Sequence, residues 1–327
     1  MLLINKEEIK KIFTMKDAIE ADKLAFSIFS KGGSISPLRT NIESKGAKGN
    51  ILYMPGYIEQ IGVSGLKIVS VFPDNPKIGL ASTPGTILLV DDKTGMVSCV
   101  LDGTYVTEIR TGAATGAAVS LLARKGSKKA ALIGSGGQAE SQFDAIVTAC
   151  ETVEEVRVYS RTRENREKFA AKMAEKYKGK VRVMASTSPE EAIDDADIIA
   201  LATTSKEAII DGKLLKKGAL VSGVGSYMPN MHEIDEETLV RASKIYFDSK
   251  DAVLSEAGCI ITPLEKGTIT EEDFTGDLGD LINGDIVGRE NDEEIIVFKS
   301  VGISTQDITT GKMIYDKALE NKVGYEW

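Results

Sequence analysis

Between residues 6 and 30 the apolar positions recur at helical spacing. Ala18, Ala21, Leu24, Ala25, Ile28 and Phe29 line one face of DAIEADKLAFSIFSKGG, and Gly32-Gly33 ends the run. Two helices are expected here. From 35 to 102 the period shortens. NILYMPG, GVSGLKIVSVF and GTILLVDDKTGMVSCVLD read as strands between turns, and the stretch Asp91 to Gly95 is a hairpin signal. From about 105 to 126, YVTEIRTGAATGAAVSLLARKG reads as a small-residue helix able to pack closely on a neighbour.

After 128 the rhythm becomes strand, helix, strand. KKAALIG, VRVYSRT, VRVMAS, DIIALATT, GALVSGVG and KIYFDS are strand candidates, with helices such as RENREKFAAKMAEKY and SPEEAIDDA between them. Buried strands alternating with helices predict an α/β protein with a doubly wound parallel sheet. The expected division is a dinucleotide-type domain at 119–304 and a mixed α/β domain at 1–118. A last helix at about 309–321 would return to the first domain, adding residues 305–327 to it.

Composition narrows the function classes. The 327 residues are 42% hydrophobic and 27% charged, an ordinary globular balance. A net charge of −9 argues against a nucleic-acid partner. No run of 18 apolar residues predicts a membrane span. MLLINKEEIKKIF lacks the apolar core of a secretory signal. Cys99, Cys150 and Cys259 are odd in number and far apart, as expected of reduced thiols in a cytoplasmic protein. His232 is the single histidine, so no metal site is expected. It is read as an exposed residue at a helix start. The acids of TGDLGDLINGDIVGRENDEE lack EF-hand spacing and read as a solvated loop and helix surface.

One turn carries chemistry. Gly134-Ser135-Gly136-Gly137-Gln138-Ala139 fits G-x-G-x-x-A between an apolar strand and a helix. Gly134 permits the tight turn, Gly136 removes a side chain from the path of a pyrophosphate, and the helix start offers free N–H groups. The second strand ends Tyr159-Ser160-Arg161-Thr162-Arg163. An acid there would accept from ribose hydroxyls, but two guanidiniums suit a 2′-phosphate. NADP(H) is therefore the preferred cofactor, with NAD possible.

Three cations stand out in the first domain: Arg39 in SPLRTN, Lys67 in GLKIVSVFPDN and Arg110 in TEIRTGAATG. Leu66, Ile68, Val69 and Val71 surround Lys67. Such a lysine either points to solvent by alternation or sits desolvated in a cleft, and position alone favours solvent. Arg110 is equally ambiguous.

The chain resembles the ornithine cyclodeaminase/μ-crystallin family over nearly its whole length. The resemblance rests on MPGY at 54–57, GLKIVSVFPDNP at 65–76, LDGTYVTEIRTGAATG at 101–116, IGSGGQA at 133–139, GVGSYMPNMHEID at 223–235 and NGDIVGRENDEEIIVFKSVGISTQD at 283–307. It implies a substrate-binding and dimerisation domain plus a Rossmann domain, a homodimer, and hydride exchange between a nicotinamide and the α-carbon of an amino or imino acid. By the same resemblance, Arg39 and Arg110 hold the substrate carboxylate, and Lys67 lies by the reacting atoms. That reverses the solvent-facing expectation. Gly134, Gly136, Gly137 and Gln138 match the phosphate turn. The implied cofactor contacts also include Thr83, Arg110, Ser160, Arg161, Thr162, Arg163, Thr203, Val224 and Ser300.

Two positions depart from the cyclodeaminases. Those enzymes carry an Asp where Tyr227 stands and a Glu where Leu52 stands. The loop is more like that of the ketimine reductases. The resemblance thus implies NAD(P)H-dependent reduction of a cyclic imino acid, of the Δ1-pyrroline-2-carboxylate type, to an L-amino acid such as proline. The alternatives are an ornithine cyclodeaminase, an alanine-type dehydrogenase, or a μ-crystallin-like NADPH-binding protein without catalysis.

Overall fold

The computed structural model describes residues 1–46 and 49–327. The chain divides into two compact units: Met1–Arg110 with Ile303–Trp327, and Thr111–Gly302.

The first unit is built on an antiparallel meander. Strands Gly49–Ile58, Val63–Val71, Gly85–Asp91 and Val97–Asp102 pair in chain order. Asp91 accepts from the Thr94 N–H at 2.9 Å and closes the expected hairpin. Two helices, Lys6–Ile12 and Met15–Ser30, fall where the apolar stripe places them. Each opens with a capping box, Asn5 with Glu8 and Thr14 with Asp17, which satisfies N–H groups that a helix start leaves unpaired.

One face of the meander is covered by the helix Ser304–Asn321. Glycines let it approach. A Cβ on Gly56 would stand 2.7 Å from Ile308 Cδ1, and one on Gly65 would stand 3.1 Å from Ile308 Cγ1. This helix begins at Ser304 rather than near 309. Its first turn is the polar run Ser304-Thr305-Gln306-Asp307, which is buried. Gln306 Nε2 donates to Asp22 Oδ2 at 2.8 Å, which keeps that turn in place.

The second unit is an eight-stranded, wholly parallel sheet. Its order is Arg182–Ala185, Glu155–Tyr159, Lys129–Ile133, Ile198–Leu201, Leu220–Gly223, Ile296–Lys299, Lys244–Phe247 and Phe274–Asp277. The chain runs outward in one direction from Lys129–Ile133 and then starts in the other from Ile198–Leu201, its last strand, Ile296–Lys299, returning to insert between Leu220–Gly223 and Lys244–Phe247. That reversal is the topological switch point of a Rossmann fold, where ligands bind at the carboxyl ends of the strands. Two of these strands, Phe274–Asp277 and Ile296–Lys299, are absent from the strand candidates read in the sequence.

The units part at Arg110/Thr111 and Gly302/Ile303, not at 118/119 and 304/305. The first shift has a local cause in the small-residue helix, which spans Gly103–Leu122. A Cβ on Gly112 would lie 2.4 Å from Ser141 O, and Gln142 Nε2 donates to Thr111 O at 2.9 Å. The later part of that helix is therefore core of the second unit.

Two further expectations are corrected. His232 is half-buried, not exposed, with Nε2 3.0 Å from Thr262 Oγ1, and the next helix starts only at Glu236. The acidic stretch from Thr275 onward is only partly solvated. Asp277 accepts from the Lys250 N–H at 2.7 Å, and burial, reinforced by Asp248, pushes its carboxyl up to about 7. Among the described residues no helix is long and apolar enough to cross a membrane. No His, Cys, Asp and Glu cluster among them could hold a metal ion.

Candidate active site

Lys67 is central in the strand Val63–Val71, facing Met54 on one neighbour and Ile87 on the other. Alternation sets it with Val63, Gly65 and Val69 on the covered face. The solvent-facing alternative is therefore wrong: Lys67 is 1% exposed. Its Nζ lies 2.6 Å from Asp307 Oδ2, and Arg110 Nε donates to Asp307 Oδ1 at 3.0 Å. One carboxylate thus bridges two buried cations from two other elements. Burial pulls the Lys67 ammonium from 10.5 down to about 7. Asp307 opposes that shift, while Arg110 and Arg39 add to it. Arg39, half-buried just before the strand Thr40–Ser44, is thus close enough to be felt at Lys67.

Asp307 is absent from the residues singled out in the sequence. It is the last residue of the 283–307 stretch that carries the resemblance, just before the expected start of the last helix. Leu52 lies two residues before Met54 on the same strand and so on the same face as Lys67. It is half-buried and offers no carboxylate. Thr83 lies half-buried in the bend before Gly85–Asp91.

The glycine turn follows the strand Lys129–Ile133, at the switch point. Gly134 has φ +126° and its N–H donates to Tyr159 O at 2.8 Å. A Cβ there would stand 2.6 Å from Ala202 O, so only glycine fits. Gly136 and Gly137 have no atom within 4 Å of where a Cβ would point. That is the open space a phosphate would need. The helix Ala139–Ala149 starts after Gln138, which makes no side-chain cap, leaving first-turn N–H groups for an anion.

Ser135 Oγ donates to Ser160 Oγ at 2.9 Å, tying the turn to the end of the second strand. Arg161 is exposed. Thr162 precedes the helix Arg163–Lys176, and Arg163 is exposed and paired with Glu167 at 2.7 Å. Thr203, Val224 and Ser300 follow the strands ending at Leu201, Gly223 and Lys299. Thr203 Oγ1 is buried without a hydrogen-bond partner. Ser300 Oγ already donates to Asp248 Oδ2 at 2.7 Å. A closed glycine corner, an open phosphate path and an unpartnered hydroxyl at the switch point together fit a dinucleotide.

A model of the Ornithine cyclodeaminase/mu-crystallin family matches residues 1–322. The chain belongs to this family. A Delta(1)-pyrroline-2-carboxylate reductase of Bacillus cereus is 38% identical over 324 residues, 99% of this chain and 98% of the relative. Among solved structures, the Delta(1)-pyrroline-2-carboxylate reductase of Thermococcus litoralis, in complex with NADH and L-proline, is 39% identical. It covers 100% of both chains with a TM-score of 0.95. An archaeal alanine dehydrogenase dimer with bound NAD is 32% identical, covers 99% of this chain and 98% of that one, and has a TM-score of 0.90. The family fold, with a Rossmann unit and a mixed α/β unit, is the one described above.

Proposed function

We propose that this chain is an NAD(P)H-dependent reductase of a cyclic imino acid of the Δ1-pyrroline-2-carboxylate type, yielding an L-amino acid. The observation that carries the reading is the buried Lys67–Asp307–Arg110 cluster. Arg110 spends its Nε on Asp307, which leaves its terminal nitrogens to fork a substrate carboxylate with Arg39. That contact would fix the imine carbon, and alignment alone can supply much of the rate. Lys67, held near neutrality by burial, would pass a proton from Nζ to the imine nitrogen and be recharged afterwards. Asp307 would keep enough of it as ammonium to do so. The bound nicotinamide supplies the hydride. Gly134, Gly136, Gly137 and Gln138 would hold its pyrophosphate, Ser160 to Arg163 the adenosine ribose, and Thr83, Thr203, Val224 and Ser300 the remaining surface.

The missing carboxylates at Leu52 and Tyr227 separate this reading from cyclodeamination. That reaction moves protons on two amines at several steps. An imine that arrives already cyclised needs one hydride and one proton, within the reach of Lys67. The assay supplies imino acids, 2-oxo acids with ammonia, and ornithine, each with NADH and NADPH. Fast imine reduction with little proline from ornithine is expected. Efficient ornithine turnover with slow imine reduction would refute the reading, and fast ammonia-dependent 2-oxo acid reduction would favour the dehydrogenase branch.

The same reading places the protein in the cytoplasm as a homodimer formed through the first unit. Exposed Ile35, Leu38, Ile42, Ile78 and Leu80 on that unit, and the free thiols, support it. Light scattering at assay concentrations tests the dimer; a monomer there would refute it.

A further inference from the structure

Three neighbouring strands of the parallel sheet, Ile198–Leu201, Leu220–Gly223 and Ile296–Lys299, end at a buried pair the mechanism above does not use. Glu233 and Lys299 are both fully buried, with Lys299 Nζ 3.0 Å from Glu233 Oε1. Lys299 Nζ also donates to Gly223 O and Ser300 O, each at 3.2 Å. Glu233 Oε1 accepts from the N–H groups of Gly225 at 2.8 Å and Ser226 at 2.9 Å. Its Oε2 accepts from the Thr203 N–H at 3.3 Å. One carboxylate therefore ties the loop after the fourth strand of this unit to the loop after the fifth. The two loops pack without slack: a Cβ on Gly225 would stand 2.2 Å from both N and O of Thr203.

These loops belong to the second mononucleotide half of a doubly wound sheet, the half that takes the nicotinamide when the glycine turn takes the pyrophosphate. The unpartnered Thr203 Oγ1 stands on one of them, and Tyr227 follows Ser226 on the other. We propose that Glu233, neutralised by Lys299, is a positioning residue for the nicotinamide end of the cofactor: it sets the backbone that presents Thr203 and the 224–227 loop. The proposal rests on the dinucleotide reading of this unit and on no particular substrate.

A buried carboxylate that loses its counter-charge is costly, whereas replacing both partners by neutral residues of similar size is often tolerated. The test therefore uses the double variant Glu233→Gln, Lys299→Met, beside Glu233→Asp. The Asp variant keeps the ion pair but is one methylene too short to reach both loops. Melting temperature, fluorescence titration with NADH, and competition by ADP-ribose, which lacks only the nicotinamide, are measured for each. Both variants are expected to fold, to bind ADP-ribose as the wild type does, and to bind NADH about tenfold or more weakly. Turnover of the imine would fall about ten- to hundredfold through misplacement. Should the double variant fail to fold, Glu233→Asp carries the same comparison. NADH binding unchanged in a folded variant would overturn the proposal. So would equal weakening of NADH and ADP-ribose, the mark of a merely structural pair. Because the NADH to ADP-ribose ratio needs no substrate, a wild type that binds NADH but reduces no imine would count against the proposed reaction alone.

Discussion

In the meander unit, charge is packed into the interior: Lys67, Arg110 and Asp307 all lie within a few per cent of full burial. At the glycine turn of the Rossmann unit, the groups offered to a ligand are backbone N–H groups facing open space, and the side chains have been removed. The two arrangements respond differently to change. A buried side-chain cluster is tuned by its own members, because the low dielectric makes each charge felt by the others. A backbone site has no such tuning. It tolerates substitution everywhere except where a new Cβ meets an atom, or meets the ligand.

The sharpest break in this contrast is Lys67→Met. Removing the proton donor should lower kcat about 10²- to 10⁴-fold while leaving cofactor affinity at the glycine turn unchanged; steady-state kinetics and NADH titration check it. Asp307→Asn comes next. Asp307 raises the Lys67 pKa against the pull of burial, so its loss should lower that pKa further. As the proposed donor Lys67 must be protonated, so activity should be present below its pKa and be lost as pH rises through about 7 in the wild type. In the variant that alkaline limb moves to lower pH. A profile of kcat/KM against pH that does not move would show that the carboxylate has no hold on the lysine.

Smaller effects are expected on the backbone side. Arg161→Ala with Arg163→Ala should cost about ten- to hundredfold in NADPH affinity and little in NADH affinity. Tighter NADH than NADPH binding by the wild type would remove the basis for the NADPH preference. Gly136→Ala should weaken either cofactor by about tenfold without lowering the melting temperature, since nothing in the protein lies within 4 Å of the added methyl. Gly134→Ala should lower the melting temperature, because its methyl would press on Ala202 O. Equal melting temperatures for the two variants would contradict the geometry of the turn.

How far each region was legible follows from distance along the chain. The glycine turn is six consecutive residues flanked by a strand and a helix, so its chemistry can be read locally. The Lys67 strand carries apolar residues on both faces: Val63 and Val69 on one, Leu66 and Ile68 on the other. Alternation therefore divides the faces without saying which is covered. The partner that decides the matter, Asp307, is 197 residues from Arg110, in a helical turn whose polar composition disguises it. The strands Phe274–Asp277 and Ile296–Lys299 were missed for a similar reason. Phe274–Asp277 overlaps, and Ile296–Lys299 closely follows, the acidic stretch that reads as a solvated loop and helix surface.

The helix that carries Asp307 is made on the ribosome only after the whole Rossmann unit. The Rossmann unit is one continuous stretch, Thr111–Gly302, and can close as soon as it emerges, as domains commonly do during synthesis. The meander that holds Lys67 is made earlier, yet it lacks both the counter-charge and the apolar cover of Ser304–Asn321 until the Rossmann unit has been made. The meander unit is thus started before the Rossmann unit and completed after it, and a nascent chain spends that interval with a lysine facing no carboxylate and one side of a sheet undressed.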